Sequence, residues 1–143
     1  MYYSSDDMRP GEHPSPNPIS RPTPAGVGER LTVLIPARNE DDIIAATVRA
    51  ALAIPGVTEV IVVDDASTDR TAGAADQAGA HLVISLERNL GKGGALNTAW
   101  PRAAGEILLL LDADLGRSAS EGEKLLAPVM DGEADMVVGI LGS

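Results

Sequence analysis

An α/β fold, a mainly parallel sheet with helices on both faces, is predicted by three observations. From Arg30 onward, short runs of branched apolar residues alternate with Ala-rich stretches of helical spacing. The strongest run, Ile107 to Leu111, has no polar interruption, as expected of a strand buried on both faces. Polar clusters directly follow four of the runs, and in a parallel sheet that places them along one edge.

In chain order, Leu31 to Ile35 reads as the first strand, closed by Pro36. Asn39 is expected to cap a helix with Asp42 three residues on. Ile44, Val48, Ala51 and Leu52 fall on one face of that helix until Pro55-Gly56 stops it. Glu59 to Val63 is the second strand, and an Ala-rich helix from Thr68 to about Ala78 follows it. His81 to Ser85 is a weaker third strand and Asn89 to Gly94 a glycine-rich loop. Ala95 to Ala104 reads as a helix that Pro101 kinks or restarts. After Ile107 to Leu111, Glu121 to Met130 reads as a helix and Met136 to Ile140 as a last strand. No repeat is visible.

Residues 1–29 are of another kind. They hold Pro10, Pro14, Pro16, Pro18, Pro22 and Pro24 among Ser, Gly, Asn and charges, a composition that cannot bury enough apolar surface to offset its ordering entropy. A disordered leader over 1–29 and one domain over 30–143 are expected.

Composition narrows the function. A formal charge of −10, with 11 Lys and Arg and no basic run, argues against a nucleic-acid surface. A phosphate ligand at so acidic a protein calls for a metal. The absence of Cys excludes disulfides, thiolate catalysis and zinc–sulfur sites. The N-terminus has no apolar signal core and no run approaches the ~20 residues of a membrane helix, so a cytoplasmic location is expected.

The four clusters are Pro36-Ala37-Arg38-Asn39-Glu40, Asp64-Asp65-Ala66-Ser67-Thr68-Asp69, Asn89-Leu90-Gly91-Lys92-Gly93-Gly94 and Asp112-Ala113-Asp114. Asp42 and Asp69 read as helix caps. Capping needs only one acid after the second strand, so Asp64 and Asp65 are also candidates to accept hydrogen bonds from a base or ribose. In a turn, Asp112 and Asp114 can both face one hard cation and leave sites open for diphosphate oxygens and water. The glycine loop matches neither the P-loop nor the dinucleotide fingerprint, but its backbone can approach a phosphate and Lys92 adds a point charge. His81 reads as structural, and Ser67 and Ser118 lack the His-Asp support of a nucleophile.

With these residues assembled, Leu31 to Ser143 resembles the nucleotide-binding half of family 2 glycosyltransferases. The resemblance lies in LTVLIPARNE, EVIVVDDASTDRT, RNLGKGGALNTA and EILLLLDADL, in the family's order and spacing. It implies the GT-A form of a Rossmann-like sheet and a transferase that uses a nucleotide-diphosphate sugar with Mg²⁺ or Mn²⁺ and inverts the anomeric centre. By position, Pro36, Arg38 and Glu40 would flank the nucleoside, and Asp65 or Asp64 would contact the base. Lys92 would lie near the phosphates, and Asp112 and Asp114 would hold the metal. Ala37, Gly93 and Ala113 complete the implied donor-binding set.

The sequence departs from the family at Arg38, where many relatives have an aromatic residue. The acceptor-binding half is expected to be absent, and the acceptor base with it. Glu121, Glu123, Asp131, Glu133 and Asp135 read as a solvated helix and turn. The texture is nearest to dolichol-phosphate-mannose-synthase-like enzymes, which implies a polyprenyl phosphate acceptor, with a saccharide as the other class and membrane contact through the acceptor alone. Two alternatives stand beside this reading. One is a non-catalytic nucleotide-sugar-binding module. The other is a haloacid-dehalogenase-type phosphatase with Asp112 as nucleophile and Asp114 as acid, although Gly116 stands where that motif wants Thr or Val.

Overall fold

The computed structural model describes residues 30–125. The expected leader over 1–29, the helix beyond Leu125 and the strand Met136 to Ile140 lie outside the described residues.

Strand β1 (Leu31–Ala37) leads to α1 (Ile44–Leu52), β2 (Val57–Asp64), α2 (Thr71–Gln77), β3 (Leu82–Ser85), α3 (Gly91–Ala99) and β4 (Ile107–Leu110). Tight helical turns follow over Ala113–Leu125, broken at Gly116. All pairings are parallel and the order is β3-β2-β1-β4. The expected α/β sheet is therefore present, with β1 inside it.

Strand β1 is buried at every position except the half-buried Pro36. It pairs with β2 from Leu31↔Val57 to Ala37↔Asp64 and with β4 from Leu31↔Ile107 to Leu34↔Leu110. Contrary to expectation, Pro36 continues the strand. The Leu34 carbonyl accepts from Leu111 N–H on the β4 side. Pro36 shares that parity, so its missing N–H falls where the β4 ladder has already ended. Near the other end, the ladder slips between Leu31 and Thr32, and the Thr58 hydroxyl bridges the Leu31 N–H and carbonyl at 3.1 Å each.

The alternation of strand side chains makes two cores. Val33, Ile35, Val60, Val62 and Leu109 meet Ile44, Val48 and Ala51 of α1 and Ala75 of α2 on one face. Leu34, Ile61, Val63 and Leu108 meet Ala95 and Ala99 of α3 on the other. Each Leu or Ile buried in these layers stabilises by about 1.5–3 kcal/mol. With no Phe in the sequence, Ala fills the helix side and lets α3 lie close to the sheet.

Two helix expectations are corrected. Helix α1 starts at Ile44, after Ile43 and without a side-chain cap, so Asn39 and Asp42 do not form the expected capping pair. Helix α3 starts at Gly91, inside the expected glycine loop, and ends at Ala99 instead of Ala104. Pro101 sits in a separate tight turn, Trp100–Arg102, because its missing N–H cannot continue the α-helical ladder.

The amino end of the sheet is tied by a structural network. Thr32 Oγ1 donates to Glu59 Oε1 at 2.7 Å and accepts from Gly105 N–H at 2.9 Å. Glu59 Oε1 also accepts from Ala104 N–H at 2.9 Å. The backbone of Gly105 comes so close that a Cβ there would lie 2.6 Å from Thr32 Oγ1, 2.7 Å from its nitrogen and 2.9 Å from the Arg30 carbonyl. Gly105→Ala is therefore expected to destabilise by about 1–3 kcal/mol, read as a lower midpoint in urea denaturation.

Candidate functional site

The carboxyl ends of the strands carry all four polar clusters. Sheet order reverses between β1 and β4, and in open α/β sheets ligands bind in the crevice beyond such a switch point. Hydrogen bonds join the four strand ends into one rim.

The β1–α1 and β2–α2 loops are fastened by a reciprocal set of bonds. Asn39 N–H donates to Ser67 Oγ at 2.8 Å, and Asn39 Oδ1 accepts from Thr68 N–H at 2.8 Å. Glu40 N–H donates to Thr71 Oγ1 at 2.9 Å. Asp41 N–H donates to Asp69 Oδ2 at 3.2 Å, while Asp41 Oδ2 accepts from Arg70 N–H at 3.3 Å. Asp69 also accepts from the Thr71 N–H at 2.9 Å and from the Thr71 hydroxyl. Both loops turn through left-handed non-glycine residues, Asn39 at φ 53° and Ala66 at φ 61°. Asn tolerates that region because its side chain bonds locally. Here the bonds cross to the neighbouring loop.

Asp64 and Asp65 are both buried, and both have partners. Asp64 Oδ1 accepts from Ser67 N–H at 3.0 Å. The Asp65 carboxylate accepts from Leu90 N–H at 2.7 Å and Gly91 N–H at 2.9 Å, so it caps the start of α3 from another strand end. Arg38 is exposed, Glu40 half-buried, Pro36 half-buried and Ala37 buried.

The turn after β4 is held from beneath by a residue that sequence reasoning missed. Thr47, fully buried in α1, donates its hydroxyl to the Ala113 carbonyl at 2.6 Å and accepts from Gly116 N–H at 2.8 Å. It thus grips the backbone between Asp112 and Asp114 and again two residues later. Gly116 adopts φ 56°, ψ −135°, open only to glycine, and turns the chain back over α1. A Thr on the apolar face of an amphipathic helix gives no sequence signal of such a task. Asn39 was noticed, but for a different role.

Charge is concentrated at the rim. Lys92 Nζ lies 2.5 Å from Asp112 Oδ1 and is the cation that joins the α3 start to the β4 end. Glu40 is held above the usual carboxylate range by burial first, then by the charges of Asp114, Asp42 and Asp69. Among the described residues, no group of three or more His, Cys, Asp or Glu side chains is arranged to hold a metal. Asp112 and Asp114 are two hard oxygen donors one residue apart. That set fits a cation which takes the rest of its shell from phosphate oxygens and water, and a cationic ammonium already sits on Asp112.

The remaining residues are structural. His81 Nδ1 accepts from Val60 N–H at 3.0 Å, as a structural histidine should. A cavity of about 200 Å³ on the α3 face is lined by Leu34, Gly93, Leu96, Asn97, Leu108 and Leu110.

The fold agrees with comparison to known proteins. Residues 32–143 match the family described as Glycosyl transferase family 2, and the chain belongs to it. It is 32% identical over 112 residues to an undecaprenyl-phosphate 4-deoxy-4-formamido-L-arabinose transferase of Enterobacter sp. (strain 638), a match covering 72% of this chain and 34% of that protein. It is 36% identical over 112 residues to an uncharacterized glycosyltransferase of Mycobacterium tuberculosis, covering 78% of this chain and 49% of that protein. Among solved structures it is similar to glucosyl-3-phosphoglycerate synthase from Mycobacterium tuberculosis in complex with Mn²⁺, uridine diphosphate and glucosyl-3-phosphoglycerate. That match has a TM-score of 0.67 and 32% identity, over 76% of this chain and 42% of that one. The same enzyme has been solved with Mg²⁺ and uridine diphosphate. The fold is GT-A-like, and the chain spans between a third and a half of the length of the relatives it matches.

Two expectations follow from the rim. Thr47→Val removes a hydroxyl that serves two buried backbone groups and is expected to cost about 2 kcal/mol or more, with Thr47→Ser recovering most of it in denaturant titrations. For Asp69, burial raises the carboxyl, but the bonds from the Thr71 hydroxyl and N–H and from Asp41 outweigh it, and the group is lowered overall. A folded value below the unfolded one contributes stability at higher pH and loses it as pH falls through the folded value. Asp69→Ala should therefore melt below the wild type at neutral pH, the gap narrowing as pH drops below the ordinary 3.8.

Proposed function

We propose that this chain forms the donor-binding part of an inverting glycosyltransferase that moves a sugar from a nucleoside diphosphate to a phosphate-bearing acceptor. The observation that carries the reading is the meeting of Lys92 with Asp112 beside Asp114 at the carboxyl ends of parallel strands. A diphosphate with its cation needs partners of both signs, and this rim supplies them.

Pro36, Ala37, Arg38 and Glu40 flank the nucleoside, with the Arg38 guanidinium able to stack on the base. Asp64 and the remaining lone pairs of Asp65 face the base, while the bonds of Asp65 to Leu90 and Gly91 place the Lys92 segment. Lys92 sets its charge against the diphosphate, and the backbone at Gly93 and Ala113 lines the sugar-phosphate path. Asp112 and Asp114 hold Mg²⁺ or Mn²⁺, which when bound would neutralise the charge that builds on the leaving nucleoside diphosphate. The acceptor oxygen attacks the anomeric carbon opposite the diphosphate, the carbon–oxygen bond to the diphosphate breaks, and the configuration inverts.

A phosphate acceptor is already ionised, so no side chain has to take a proton from it. Undecaprenyl phosphate in one relative's name supports a phosphate as the attacking group, while phosphoglyceric acid in a neighbour's complex supports only an acceptor that carries a phosphate. Family membership leaves the phosphatase alternative without support. Among the described residues, no helix is long and apolar enough to cross a membrane. A polyprenyl acceptor would then bring a cytoplasmic protein to the bilayer surface.

Titration calorimetry with UDP-, GDP- and dTDP-sugars, with and without Mn²⁺, tests the reading. Metal-dependent binding of one donor is expected, weakened in Asp112→Asn and Asp114→Asn by at least the roughly tenfold seen when a metal ligand loses a supporting partner. Binding without turnover on polyprenyl phosphate would assign the chain donor binding alone. No metal-dependent binding to any donor would sink the reading.

A further inference from the structure

We infer that Lys92 is a displaceable placeholder in the cation site of this chain, which makes the divalent cation and the nucleotide bind cooperatively. The inference rests on the donor-binding reading above and adds a coupling between its two ligands.

The geometry is specific about which group moves. Lys92 Nζ is 2.5 Å from Asp112 Oδ1, on the carboxylate that would hold the cation together with Asp114. An ammonium and a divalent ion on one carboxylate repel each other. The Lys92 side chain is 56% exposed and that of Asp112 21%. Thr47 grips the turn just past Asp112 through the Ala113 carbonyl and the Gly116 N–H. The backbone under Lys92 is also fixed, since Asp65 holds the N–H groups of Leu90 and Gly91. Only the lysine side chain is free to leave.

Two consequences follow. A cation arriving alone must break the ion pair and leaves Lys92 facing a second positive charge. When a diphosphate arrives with the cation, the displaced ammonium finds a phosphate partner within reach of the same short segment. Each ligand therefore tightens the other, and by linkage the factor is the same in both directions. A lysine that only decorated the surface would produce no such coupling.

The experiment measures Mn²⁺ binding by the electron paramagnetic resonance signal of the free ion, with and without saturating UDP. The proteins are the wild type, Lys92→Met, Asp112→Asn and Arg88→Met, the last removing an equal charge from the segment before α3. Mn²⁺ alone is expected to bind Lys92→Met roughly three- to tenfold tighter than the wild type, from the lost ion pair and lost repulsion. UDP should tighten Mn²⁺ in the wild type and do so much less in Lys92→Met, and Arg88→Met should behave as the wild type. Equal or weaker binding of Mn²⁺ alone by Lys92→Met overturns the inference, as does an Arg88→Met that binds Mn²⁺ alone as tightly as Lys92→Met does. If Asp112→Asn still loses Mn²⁺ in those cases, the donor-site reading stands without it. No Mn²⁺ binding by the wild type in either condition overturns both.

Discussion

Strand β1 is the constraint on which the rest of the structure depends. It is apolar on both faces and buried along its length, so it must lie inside the sheet with a neighbour on each side. The chain fills one side with β2 and must then return across the sheet to place β4 on the other. That return opens the crevice beyond β1 and β4. Asp112 after β4 and Lys92 in the first turn of α3 reach each other there.

Much of this was legible in the sequence, for a physical reason. Buried strands such as Ile61 to Val63 and Ile107 to Leu110 are runs of branched residues whose period needs no tertiary context. The convergence of polar clusters at one edge followed from parallel topology alone. The glycine segment misled because propensity argues against a helix at Gly91 to Gly94. The Asp65 carboxylate reverses that local preference by binding the N–H groups at its start. Asn39 looked like a cap because capping is the usual use of Asn before a helix, yet its amide serves a loop beyond the next strand. Thr47 was invisible, since its two partners lie more than sixty residues away in sequence.

The rim is held in a state of electrical imbalance. Burial first, and then the charges of Asp114, Asp42 and Asp69, hold Glu40 above the usual carboxylate range, while Lys92 pairs with Asp112. Such a surface repels a nucleoside diphosphate on its own and attracts a divalent ion. The acidic character that argued against nucleic acid is thus concentrated at the edge where a metal–phosphate ligand would be received.

The crossed bonds between the β1–α1 and β2–α2 loops bear on how such proteins diverge. Asn39, Glu40 and Asp41 each depend on a residue between Ser67 and Thr71, and the Thr68 and Arg70 N–H groups depend on Asn39 and Asp41 in return. A length change or a transplanted sequence in one loop would strand donors and acceptors in the other. If the two loops flank the nucleoside as proposed, its preference would be set by the pair of segments together. Recombination between relatives would preserve a working rim only when both segments travel together.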